Sequence, residues 1–175
     1  MAMVVATMFA HNQHRSMLTT QMSLIRQDVS VRATGVAVDA MEEISVMAFD
    51  DATKNGPITD ATLLTALPII TDDNRLYLLE TAYEIVGGEQ DESGGADDVD
   101  DFNLRTLTRT RSHSGSLLSF DVMPSVHYVD SDGATPVSYP TKMKRVTVDV
   151  VSTDFEFSDT IRLTHVVSCG SRCAW

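Results

Sequence analysis

The segment "ADDVDDFN", Ala96 to Asn103, sets four aspartates, Asp97, Asp98, Asp100 and Asp101, around a single valine. Four close carboxylates repel one another in water, so a turn, a cation or solvent must make them tolerable. Their oxygens are hard ligands of the kind Ca²⁺ takes, about six to eight at a time from carboxylates, carbonyls and water. The spacing is not that of an EF-hand loop, which needs ligands at alternating positions, a central glycine and a distal glutamate. The four aspartates are therefore a candidate Ca²⁺ site beside the plainer reading of a solvated turn, and no other cofactor is expected.

The other reactive residue types form weaker patterns. Cys169 and Cys173 enclose a glycine-containing turn that can bring their Cα atoms within disulfide range, and two thiols are too few for a structural zinc. A disulfide is expected in an exported chain, two free thiols in a cytosolic one. The histidines, His11, His14, His113, His127 and His165, make no ligand pattern. "SHSGS", Ser112 to Ser116, lacks the first glycine and the strand-turn-helix setting of a nucleophile elbow and reads as a polar turn. No glycine-rich phosphate loop occurs, because "GGEQDESGG" lies in an acidic field that would repel phosphate. The expectation is a protein that is not an enzyme.

The whole chain narrows the class further. Its 175 residues suffice for one domain with a long element, and 43% hydrophobic with 22% charged residues is the composition of a folding chain. With 13 Lys+Arg against 25 Asp+Glu the net charge is −12, which excludes nucleic acid as a partner and a basic face for anionic lipid. No Lys or Arg falls between Arg75 and Arg105, where Glu and Asp gather, so that window reads as an acidic loop.

The elements that must carry these residues differ along the chain. Through residue 50 there is no proline and one glycine, Gly35. Leu18, Met22, Ile25, Val29, Ala33, Val36, Ala40, Ile44 and Met47 recur at steps of three and four, the period of one apolar helical stripe. "FDDATKNGP" should end that helix. Its first ten residues, with Val4, Val5, Met8 and Phe9, are uncharged and apolar, but about 15 Å of helix cannot cross a bilayer core of ~30 Å. They also lack the basic leader and cleavage site of a signal peptide. They read as the tail of a longer apolar segment, or as one that buries against identical neighbours.

From Leu104 the period falls to two. Residues 104–112, 117–130, 143–152 and 159–168 alternate apolar and polar side chains and are rich in β-branched residues. Val146, Val148 and Val150 share one face, Arg145, Thr147 and Asp149 the other. Asp132-Gly133 and two prolines mark the connection 130–141, and residues 152–159 a short reversal, as in an antiparallel meander. Pro124 implies an edge position or a bulge. Residues 58–88 are ambiguous between helix and strand. The fold class is α+β: a long N-terminal helix over residues 1–50, an acidic region over 51–103, and an antiparallel sheet with the cysteine pair over 104–175.

These features together resemble the type IV pilins and pseudopilins. "ATGVAVDAMEEISVMAFDD" (Ala33 to Asp51) resembles the family's helix end before a "PFDD"-like turn. "DDVDDFN" (Asp97 to Asn103) is similar to a "DDVDDYNG" segment, and "YPTKMKRVTVDVVS" (Tyr139 to Ser152) to a late strand running "YKRVTVTV". Within that family the chain is most similar to minor pilins of the mannose-sensitive haemagglutinin type. The resemblance implies a structural subunit of an extracellular filament at the cell surface, reached through the inner membrane, with identical or related pilin subunits as partners. It further implies assembly by burial of the helices through Val4, Val5, Met8, Phe9, Leu18, Met22, Ile25, Val29, Val36 and Ile44, with the β domain outward. Residues 1–10 contain no glutamate of the kind the family uses in assembly. A surface module binding a cation or ligand, or another structural assembly protein, is the alternative.

Overall fold

The computed structural model describes residues 2–67, 96, 98–113, 115–154 and 160–175; the side chains at 2–10, 12 and 113 lie outside that description. Helix α1 runs from Ala2 to Ser45. Four strands follow: β1 (Leu107–His113), β2 (Ser116–Tyr128), β3 (Met143–Ser152) and β4 (Ile161–Ser168). They form one antiparallel sheet in the order β1-β2-β3-β4, a meander, and the architecture is α+β.

The sheet's inner face follows from the period-two pattern and the register. Leu107, Val122, Val150 and Ile161 form one cross-strand row, and Pro124, Val148 and Leu163 the next. Against these rows α1 lays Val29, Ala33, Val36, Ala37, Ala40 and Ile44, all buried. The small residues on this stripe let the helix approach the sheet closely, and larger side chains such as Phe120 fill the remaining space. Fully burying one such apolar side chain contributes about 1.5–3 kcal/mol.

Among the described side chains of α1, those of the C-terminal part are covered. Met17, Leu18, Met22, Leu24 and Ile25 are exposed, and burial begins at Val29. Residues 11–28, about 27 Å of helix, therefore stand clear of the sheet. Polar contacts fasten the covered part to the edge strand: Arg109 pairs with Glu43 at 2.7 Å, Arg111 with Asp39, and Arg32 donates to Ser112 O at 2.7 Å.

Three details differ from the sequence expectation. The helix stops at Ser45, a turn before Phe49, because Ala48 leaves helical pairing to accept from Val99 N at 2.9 Å and bridge the acidic segment. Pro124 lies in an interior strand, but β1 begins pairing at Val122, so beyond that residue this side of β2 is a local edge where a missing N–H costs nothing. Thr147 and Asp149, on the face opposite the valines, are buried rather than solvated, and Asp149 accepts from Arg162 Nε at 2.8 Å. The turn at residues 112–116 is a β1-β2 hairpin closed at His113-Ser116, with Gly115 at φ +85. The connection 130–141 is a tight polar loop whose Gly133 N–H donates to Asp130 O at 2.8 Å. Residues 68–95, which hold most of the ambiguous stretch and of the acidic window, lie outside the described residues, as does most of the 152–159 reversal.

Candidate functional site

Lys144 shares the parity of Val146, Val148 and Val150 and pairs with Tyr128 across the sheet, so its side chain enters the core where α1 has ended. It is fully buried. An ammonium in that position is tolerable only when surrounded by acceptors. Three converge on it. Nζ donates to Asp100 Oδ2 at 2.6 Å, to Phe49 O at 2.6 Å and to Asp50 Oδ2 at 3.2 Å. The Phe49 and Tyr128 ring centroids lie 4.4 Å and 5.1 Å from Nζ, close enough for cation-π attraction.

Each acceptor is set by its local sequence. Asp50 opens the 3-10 turn Asp51–Thr53, and its carboxylate accepts from Ala52 N at 3.1 Å and Thr65 N at 2.9 Å. In the acidic segment, Asp98 Oδ1 accepts from Asp100 N at 2.8 Å and Asp101 N at 3.1 Å, an aspartate-closed turn that begins the 3-10 turn Asp100–Phe102. Val99 and Phe102 point into the main core and leave Asp100 facing Lys144. Leu104 then takes a left-handed conformation, φ +58, and donates to Pro124 O at 3.1 Å, which turns the chain into β1. Asn103 Oδ1 accepts from Val126 N at 2.8 Å, the ladder position that β1 leaves open.

The two carboxyls answer Lys144 differently. Burial would raise Asp50, but the Lys144 charge and the N–H groups of Thr65 and Ala52 together outweigh it and hold the carboxyl below its ordinary value. Burial dominates at Asp100 and pushes it up to about 8 in spite of Lys144. Burial likewise raises Asp98, and it raises the Tyr128 phenol, which donates to Thr65 O at 2.9 Å. The same lysine thus faces two carboxyls moved in opposite directions, Asp50 held low and Asp100 raised.

The remaining sequence candidates fall in separate places. Val29, Val36 and Ile44 are buried against the sheet, whereas Leu18, Met22 and Ile25 are exposed on the clear part of α1. Val4, Val5, Met8 and Phe9 lie on the helix, their side chains outside the described residues, and Asp97 lies outside them altogether. Cys169 and Cys173 are joined in a disulfide, Cα to Cα 5.7 Å. That turn packs with Phe49, Ile58, Leu64 and Tyr128 in a second apolar cluster, and Ile58 N donates to Arg172 O at 2.9 Å. Among the described residues no three His, Cys, Asp or Glu side chains are placed to hold a metal ion. Asp98 and Asp100 are engaged by backbone N–H groups and by Lys144 instead. Among the described residues no helix is long and apolar enough to cross a membrane.

The chain matches no family model, no curated protein and no solved structure.

The residue that sequence reasoning passed over is Lys144. Its signal is parity: in "MKRVTVDVV" it occupies the same face as three valines, the wrong face for a cation unless a carboxylate meets it there. Within "DDVDDFN" Phe102 is buried in the core, and the turn expected of the aspartates is seen at Asp98.

Proposed function

We propose that this protein is a structural subunit of a helical filament of the type IV pilin kind, held together by the exposed N-terminal part of α1 with the sheet domain outward. The observation that carries the reading is the uncovered apolar surface of that helix. Leu18, Met22 and Ile25, which continue the stripe of Val29 and Val36, are exposed, as are Met17 and Leu24, on an element that the protein's own sheet stops covering at Val29. Water disfavours so much apolar surface on one helix, and packing against like helices removes it. The same helix provides both surfaces, with residues from Val29 onward fixing it to the sheet and residues before Asp28 left to neighbours. On this reading the partners are identical or related subunits, the inner membrane is the route to the surface, and the filament lies at the cell surface.

Two substitutions separate assembly from folding. Ile25→Asp charges the exposed part and is expected to abolish filaments in electron micrographs while leaving the melting temperature of the subunit unchanged. Val29→Asp buries an unpaired charge against the sheet and should unfold the domain, at a cost of several kcal/mol. A wild-type chain that stays a monodisperse monomer at every concentration, unaltered by Ile25→Asp, would refute the assembly role.

A further inference from the structure

The Lys144 pocket is arranged for more than an ion pair. We propose that Nζ of Lys144 and Cγ of Asp100 are joined by an amide bond that forms in the folded chain, with Asp50 carrying the proton. This inference is independent of the filament reading.

Four observations carry it. The nucleophile and the carbonyl it would attack are in contact: Nζ lies 2.6 Å from Asp100 Oδ2, so Cγ is one covalent bond beyond. Groups held at such distances react as though at very high concentration, because the entropy of bringing them together is already spent. Water, the product of the condensation, is excluded, since the Lys144 side chain is 0% exposed, Asp50 1% and Asp100 8%. A third group of the right kind is present in Asp50 Oδ2, 3.2 Å from Nζ. Finally, Asp100 Oδ1 is buried and has no hydrogen-bond partner among the described residues. A carboxylate placed only to neutralise a lysine normally has both oxygens satisfied, whereas here one oxygen meets the amine and the other is left as the carbonyl of an acyl group.

Protonation favours the same outcome. Burial keeps the Asp100 proton in place up to about pH 8, so the oxygen that departs does so as water rather than as hydroxide or oxide. As the nitrogen lone pair adds to Cγ, the ammonium passes one proton to the Asp50 carboxylate. A second proton moves from nitrogen to the departing hydroxyl oxygen as the C–O bond breaks and water leaves. The nitrogen keeps its third proton as the amide N–H, and Asp50 ends protonated, to exchange with solvent later. No oxidant or cofactor enters. Before the reaction the pocket contains a buried cation and a buried anion, and afterwards neither, which removes the desolvation cost of both. The bond would tie the acidic segment, just after the bridge to the end of α1, to the interior strand β3.

The test is the intact mass of the purified full-length chain with its disulfide reduced. The expected result is a mass lower by one water than the sequence requires, resistance to trypsin after Lys144, and a branched peptide whose fragments join Lys144 to Asp100. Lys144→Arg, which keeps the charge but cannot form the amide, and Asp50→Asn should both show the full mass. Full mass in the wild-type chain with ordinary cleavage after Lys144 overturns the proposal. So does a water loss that fragmentation places at Asp132-Gly133, where an aspartyl-glycine imide has the same mass, and Asp50→Asn linked as completely as wild type overturns the proton path.

Discussion

Replacing Lys144 by Met keeps the volume of the stem and removes the charge, which makes it the sharpest probe of how the acidic segment is held. Asp100 and Asp50 each lose a partner, at 2.6 Å and 3.2 Å, and so does Phe49 O at 2.6 Å. Breaking a buried pair by removing one member costs about 3–5 kcal/mol, and a stranded carbonyl adds to it. For a chain of this size about 4 kcal/mol corresponds to a fall of roughly 8–16 °C in melting temperature. A covalent link in the parent makes that figure a floor. The assay is thermal and urea unfolding followed by circular dichroism, with Lys144→Met/Asp50→Asn as the compensating variant, expected to recover about 2 kcal/mol by removing the stranded carboxylate.

The same variant has a signed pH dependence. Without Lys144 the influence that lowers both carboxyls is gone, and burial, which raises them, remains. A folded-state value above the unfolded 3.8 means the native chain binds more protons than the unfolded one. That contribution to stability is full below the unfolded value and is lost as pH rises through the folded one, about 8 for Asp100 even with the lysine present. The deficit of Lys144→Met relative to wild type should therefore shrink as pH falls from 8 to 5. A loss below about 1 kcal/mol at neutral pH, or a deficit that grows on acidification, would refute the reasoning.

Three further outcomes are expected. Phe120→Ala, in a fully buried site, should cost about 3–5 kcal/mol in urea unfolding, while Leu117→Ala, 69% exposed, should stay within about 0.5 kcal/mol. Reducing the Cys169–Cys173 disulfide closes no long loop and should lower stability by only about 2 kcal/mol on the chain-entropy account, read as the difference between oxidised and reduced unfolding curves. Asp132, held by the N–H of Thr135, the Thr135 hydroxyl and the N–H of Ala134, should titrate at about 2 in carboxyl NMR. Thr135→Val should raise that value, and an ordinary titration in the wild-type chain would show that the loop's hydrogen bonds are absent in solution.

Much of the architecture was readable because it rests on local periodicity. The step of three and four that identifies Val29, Ala33, Val36, Ala40 and Ile44 continues through Leu18, Met22 and Ile25, yet only the first group is buried by this chain. Period alone marks an apolar stripe and cannot say where the covering sheet ends, since that depends on how far the meander reaches along the helix. Strand β3 was legible because Val146, Val148 and Val150 alternate with Arg145, Thr147 and Asp149 through its middle. The helix end was misplaced by one turn because the competing partner of Ala48 is Val99, remote in sequence.

The acidic segment shows the same division more sharply. Local rules assign Asp98 to a turn and Phe102 to the core, and both assignments need only neighbours within three residues. The role of Asp100 depends on Lys144, 44 residues away, and becomes legible only when two anomalies are read together. One is a carboxylate surplus in a window without a Lys or Arg, the other a lysine on a face of valines. Either alone has an ordinary explanation, a solvated loop for the first and a strand-end cation reaching for water for the second. Their burial in one pocket fixes the segment against the sheet, because Lys144 keeps its buried acceptors only while Asp100 and Asp50 stay beside it. The segment that follows α1, carrying Phe49 and Asp50 into that pocket, is thereby held to β3 by the same contact that orders "DDVDDFN".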